Sequence, residues 1–268
     1  MSKRIKKAQR AFDKKDINLA RLAHKKELIK KHIKEEGHIA TKSQYLGEFV
    51  YGAIDGTITT FAVVAGAAGA VLSPVIVIIL GFANLIADGF SMAAGNFLSE
   101  RTNRDLIAKE REREEWEIET VPEGEKQEIR EIFRKKGFKG KDLDRAVKII
   151  TSNKKVWVDT MMADELGLVE SSKSPWVTAG STYFGFVIIG VIPLLAYVIS
   201  YFVPLFKQNT FTIAIIMTVI ALFIIGTIKS YVTKKDLWKS ALGTVFIGGV
   251  AAFIAYYVGF FLRWLVAL

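Results

Sequence analysis

The chain has no cysteine and only three histidines in 268 residues. Without cysteine there is no disulfide, no thiolate metal centre and no cysteine nucleophile. The histidines, His24, His32 and His38, all lie in the first forty residues, away from every acidic cluster. They read as solvated or accessory, and their placement argues against histidine-based zinc chemistry. No HExxH or G-x-S-x-G run is present and no histidine falls in an apolar segment, so the chain is not expected to be an enzyme. The net charge of +10 comes without any RNP-like, zinc-finger or helix-turn-helix pattern, and nucleic acid is not an expected partner. Charge itself is missing from long stretches: residues 48–99 carry only Glu48, Asp55 and Asp88, and the last 94 residues carry a single acid, Asp236. The basic stretch at the start runs some forty residues before any apolar segment, which excludes a signal peptide.

What is there is apolar. Mean hydropathy is +0.27, with apolar blocks alternating with charged ones, the pattern of a polytopic membrane protein. Five segments reach the roughly 20 apolar residues that cross a bilayer: 49–72, 75–97, 176–202, 211–228 and 240–264. Leu72, Ser73 and Pro74 join the first two as a tight hairpin, with Pro74 opening the second helix. Residues 1–47 hold 14 Lys and Arg against 5 acids, and block 100–174 holds 17 basic and 18 acidic residues. The loop 229–239 is also basic, while the opposite loops hold only Lys207. The positive-inside rule puts the N-terminus and block 100–174 in the cytoplasm and the C-terminus outside. The basic arm is then a flank beside anionic lipid.

The expected fold is therefore all-α, with five transmembrane helices and a small helical cytoplasmic domain. Its parts are a basic arm (1–44), the first two spans (45–98), the cytoplasmic domain (99–174) and the last three spans (175–268). Within the domain, a helix 99–119 continues straight from the second span and stops at VPEG. Further helices are expected over 125–136, 141–152 and 154–167. The spans show no internal repeat, so an inverted-repeat transporter design is not supported.

Two polar stripes cross the apolar segments. Glu48, Gly52, Asp55 and Thr59 share a face of the first span, and Asn84, Asp88, Met92 and Asn96 share one of the second. Asp55 and Met92 each lie about six residues from the same membrane face, roughly 9 Å deep at 1.5 Å per residue, so they can meet. Asp88 lies one turn deeper. The asparagines serve equally well as interhelical hydrogen-bonding groups. Two acids with no nearby Lys or Arg are different: an ionised carboxylate in hydrocarbon costs about 2.5 kcal/mol or more, and such groups normally line an ion or proton path. A thioether beside a carboxylate favours softer transition metals over Mg²⁺ or Ca²⁺. Gly66, Ala67, Gly69 and Ala70 allow close helix approach at the outer end.

In the charged block, Glu114 and Glu117, then Glu125 and Glu128, are i,i+3 pairs, and Glu110 shares the first face. Met161 and Glu165 are i,i+4, with Met162 alongside. Carboxylates at these spacings can converge on a cation. They equally describe solvated helix faces laced with ion pairs, with Met161 as ordinary core.

Three runs, AIDGTITTFAVVAGAAGA, GFANLIADGFSMAAGNFLS and WVDTMMADELGL, resemble the vacuolar iron transporter family in the family's order, over about residues 45–268. The resemblance implies a homodimer with the ion path between the protomers' first two helices. It implies export of Fe²⁺ from the cytosol against protons, with Asp55 and Met92 lining the path. It also implies metal binding by Glu114, Glu117, Glu125, Glu128, Met161, Met162 and Glu165, with Glu110 accessory. Asp88 and Glu48 complete the expected path. Asn84 and Gln44 stand where plant members carry acids, and Asp88 is expected to take over for Asn84. Mn²⁺ is the runner-up cargo, and Zn²⁺ and Co²⁺ fit the same donors. The competing class is a membrane-anchored metal sensor that does not transport, which leaves Asp55 and Asp88 without a role. The expected location is the plasma membrane of a prokaryote or a vacuolar or other endomembrane of a eukaryote.

Overall fold

The computed structural model of the chain describes residues 3–24, 40–169, 171, 173–233 and 235–266; His32 and His38 lie outside them. Among the described residues every regular element is a helix. In chain order these are α1 (Lys3–Lys14), α2 (Ile17–Ala23), α3 (Ala40–Gly69), α4 (Pro74–Thr120), α5 (Pro122–Lys135) and α6 (Gly140–Thr151). They continue with α7 (Lys154–Asp164), α8 (Pro175–Gly190), α9 (Ile192–Ser200), α10 (Pro204–Gln208), α11 (Thr210–Thr233) and α12 (Leu237–Val266). Five stretches are long and apolar enough to cross a bilayer: Tyr45–Gly69, the apolar part of α4, Pro175–Ser200, Thr210–Tyr231 and α12. The chain is an integral membrane protein of all-α class.

The helices form two compact units, residues 1–94 with 176–268 and residues 95–175. In the first, α3 packs against α12, α11 and α9. The core is built from Phe61, Val64, Leu85, Phe186, Leu194 and Tyr197. Glycine lets these helices meet backbone to backbone. A Cβ on Gly52 would collide with the Thr182 carbonyl of α8, and one on Gly259 with the Gly66 carbonyl of α3. Gly66 and Gly69, among the small residues at the C-terminal end of α3, thus allow the close helix approach that their composition suggests. The apolar half of α4 is peripheral: Val77 and Leu85 are buried, whereas Ile79, Leu80, Ile86 and Phe90 are exposed.

The first hairpin follows the sequence closely. Chain reversal falls on Val71, in left-handed backbone at φ 58°, and Pro74 opens α4. The third span differs from the single helix expected over 176–202. It is interrupted at Val191, because Pro193 has no N–H to donate and its ring crowds the carbonyl one turn back. Three further helices were not expected. In the basic arm, α1 and α2 pack with Ala11 and Ala23 buried, and Asp16 caps α2 by accepting from the Leu19 N–H at 2.9 Å. In the connector before α11, α10 starts behind Pro204.

In the second unit, α4 runs on unbroken to Thr120, and Pro122 opens α5. Gly137 (φ 98°) follows the end of α5 in the left-handed region. Asn153 caps α7 by accepting from the Val156 N–H at 3.2 Å. This helix closes at Asp164, short of the expected 167, because the chain turns through Gly167 (φ 66°) and the Leu168 N–H returns to the Met162 carbonyl. The unit has its own apolar core, from Ile107 and Ile118 of α4, Ile129 of α5, Leu143 and Val147 of α6, and Trp157, Val158, Met161 and Met162 of α7.

Candidate metal centre and ion path

The acidic cluster is built on the edge of that second core. Ile107, Glu114 and Ile118 are spaced seven and four residues apart, so Glu114 shares the buried stripe of α4 and is only 1% exposed. Glu125 sits one turn before the fully buried Ile129 on α5 and is 5% exposed. Each of these carboxylates has one oxygen, Oε2, buried without a hydrogen-bond partner. Buried polar atoms are normally paired, so two orphaned carboxylate oxygens in one small domain need an explanation, and a cation-binding role is a standard one.

The other candidate carboxylates gather around them. Burial first, then the charges of Glu128, Glu114, Glu117 and Glu165, push Glu125 up to about 7. Burial, then Glu128 and Glu114, push Glu165 up to about 7 as well, although Glu165 as a whole residue is exposed; its carboxyl also hydrogen-bonds that of Glu128. Glu114 is raised by burial, against the lowering effect of Arg113 and with the raising effects of Glu117, Glu128 and Glu110. Acids from α4, α5 and the end of α7 therefore feel one another's charge. Met161 and Met162 are buried in the same unit's core, 0% and 3% exposed.

Arg113 carries the counter-charge. Its guanidinium donates to Glu110 at 2.9 Å, lies 2.8 Å from Glu114 Oε1 and donates to Glu117 at 2.5 Å. Among the described residues no group of three or more carboxylates or imidazoles is arranged to hold an ion; the guanidinium occupies the first acidic face instead. Nothing in the sequence pattern singled out Arg113, because Glu-Arg-Glu-Arg runs look alike whichever arginine points inward. The burial of Glu114 did have a signal, its seven- and four-residue spacing from Ile107 and Ile118.

In the membrane unit, Asp55 is half-buried on α3, and Asp88 of α4 is near enough to repel it. The Asp55 carbonyl accepts from the Thr59 hydroxyl at 2.9 Å. Asp88 is exposed, Glu48 is half-buried, and Met92 is partly buried against the bundle core. Asn84 buries its amide nitrogen with no acceptor among the described residues. Gly52, which shares the Asp55 stripe, is spent on the contact with α8. His24 is exposed in the arm, its Nδ1 2.9 Å from the Ala20 carbonyl.

The chain thus combines an apolar helical bundle carrying Asp55 and Asp88 with a helical unit that holds a partly buried acidic cluster. Residues 46–260 match the model of the VIT family, and the chain belongs to that family. It is 35% identical over 267 residues to the vacuolar iron transporter of Toxoplasma gondii, covering 97% of this chain and 88% of that protein. It is 35% identical over 270 residues to that of Plasmodium falciparum, covering 98% of each. Vacuolar iron transporter 1 of Arabidopsis thaliana is 33% identical over 217 residues, 81% of this chain and 85% of its own length. These relatives are named as transporters, not as enzymes.

Proposed function

We propose that the chain exports Fe²⁺ from the cytosol in exchange for protons. The observation that carries this reading is the pair of buried, unpartnered carboxylate oxygens of Glu114 and Glu125, in a family whose relatives are named for iron transport. In this reading the second unit faces the cytoplasm, as the basic flanks predict. Fe²⁺ is the cargo. It is collected by Glu114, Glu117, Glu125, Glu128 and Glu165, with Met161 and Met162 supplying soft donors that favour a transition metal over Mg²⁺ or Ca²⁺. Glu110 is accessory.

From there the ion passes to Asp55 and Met92, with Asp88 and Glu48 on the same route. A carboxylate gives up its cation when it takes a proton, so protons moving inward through Asp55 release the metal outward. The exposed apolar face of α4, with Asp88 on it, supports a homodimer in which a second copy covers that face and the acids meet at a wet seam. The relatives' names support a vacuolar or other endomembrane location.

The deciding experiment is metal flux into proteoliposomes under an imposed pH gradient. Fe²⁺ uptake driven by the gradient supports the reading. Bound metal without flux of Fe²⁺ or Mn²⁺ overturns it in favour of an anchored sensor.

A further inference from the structure

We propose that Arg113 is a resident counter-cation of the acidic cluster, holding it in the metal-free state and competing with the incoming ion. The inference rests on the reading of the cluster as a metal-capture site. One guanidinium makes three ion pairs with acids of its own helix, to Glu110, Glu114 and Glu117, at 2.9, 2.8 and 2.5 Å. Of these partners Glu114 is buried, with one oxygen on Arg113 and the other on nothing. The charge of Arg113 is also felt by Glu165, beyond the end of α7.

Other basic side chains of the unit are committed elsewhere. Arg111 donates to Asp159 at 2.6 Å, Arg130 to Asp144 at 2.6 Å and Lys126 to Glu123 at 2.6 Å, while Lys136 pairs with Asp164 and Lys154 with Glu119. None of those acids is a candidate ligand. Among these basic side chains of the described residues, Arg113 is the one that engages the candidate ligands themselves.

A guanidinium and a divalent ion cannot both use the same carboxylate lone pairs, and two cations in one cluster repel. The metal must therefore turn Arg113 out of its fork. Arg113 remains 42% exposed at its side chain, so it can swing to water without breaking a core contact. Its return when the ion leaves restores charge balance to a cluster that would otherwise hold several acids with no cation. The consequence is a weaker but faster-exchanging site, suited to passing an ion on rather than storing it.

The test is equilibrium binding to the full-length protein in detergent or nanodiscs. Mn²⁺ serves as an air-stable probe followed by the EPR signal of the free ion, with Fe²⁺ under anaerobic conditions as the second probe. Arg113→Gln removes the competing charge and is expected to tighten binding roughly three- to tenfold, the size of a unit-charge interaction across a few ångströms under water-like screening at a side chain this exposed. The gain shrinks as salt screens the charge. Arg113→Lys keeps the charge but cannot fork three carboxylates, and is expected to bind at least as tightly as the wild type. Unchanged or weaker binding by a folded Arg113→Gln overturns the proposal. Should that variant not purify folded, weaker binding by Arg113→Lys overturns it, because that is the mark of a strut and not a competitor. Wild-type protein that binds neither ion sinks the capture-site reading instead.

Discussion

Glu114 of α4 and Glu125 of α5 each bury one carboxylate oxygen without a partner, and the two side chains repel each other. Burying a carboxylate oxygen without a partner is costly, and a divalent ion bound between the two acids would offset it.

Replacing either acid by its amide separates the two contributions. Glu114→Gln and Glu125→Gln are expected to weaken metal binding at least about tenfold, since even outer partners of metal sites are worth that much. For Glu125→Gln the metal-free protein is expected to lose no thermal stability, because a buried repulsive charge is removed, whereas Glu114→Gln also removes the ion pair with Arg113. A lowered apo Tm with metal binding intact would mean that Glu114 is simply the ion-pair partner of Arg113.

The pH dependence has a definite sign. Glu125 and Glu165 are raised from 4.5 to about 7 in the fold. A raised pKa stabilises the metal-free fold fully below the unfolded value, near 4.5, and that contribution is lost as pH rises through about 7. Metal binding requires the ionised form, so it runs the other way. Metal affinity is expected to fall as pH drops from 7 towards 5, and binding near neutral pH to release protons. Calorimetry in buffers of different ionisation enthalpy measures that release; none detected would contradict the assignment.

The contact of Gly52 with Thr182 gives a prediction about the bundle. Gly52→Leu places a side chain where the Thr182 backbone already lies. Overpacking of this kind costs about 1–3 kcal/mol and moves the backbone. Thermal stability of the membrane unit is expected to drop and flux to fall with it, while metal binding by the acidic cluster persists. Equal losses of both would contradict the separation into two units.

The number, order and class of the helices were legible because hydropathy, prolines and charged blocks mark them directly. The break at Val191 was less so, since Pro193 lies inside a strongly apolar run that outweighs it in composition. The helices α1 and α2 were hidden by charge, their small buried stripe resting on alanines such as Ala11 and Ala23. At the candidate site, spacing picked out Glu114, Glu117, Glu125, Glu128 and Glu165, and of their burial only that of Glu114 had a signal, in its spacing from Ile107 and Ile118. Burial of Glu114 and Glu125 depends on tertiary packing around Ile107, Ile118 and Ile129. The orientation of Arg113 depends on it too, because a guanidinium on a helix surface has rotamers facing either water or the acids.

Asp55, half-buried on α3, is the one acid proposed to bind both the metal and the proton. The most direct measurement is Fe²⁺ flux in proteoliposomes with an imposed pH gradient, comparing the wild type with Asp55→Ala. The account predicts gradient-dependent flux in the wild type and its loss in the variant, with metal binding by the acidic cluster unchanged. Full gradient-driven flux in Asp55→Ala would contradict it.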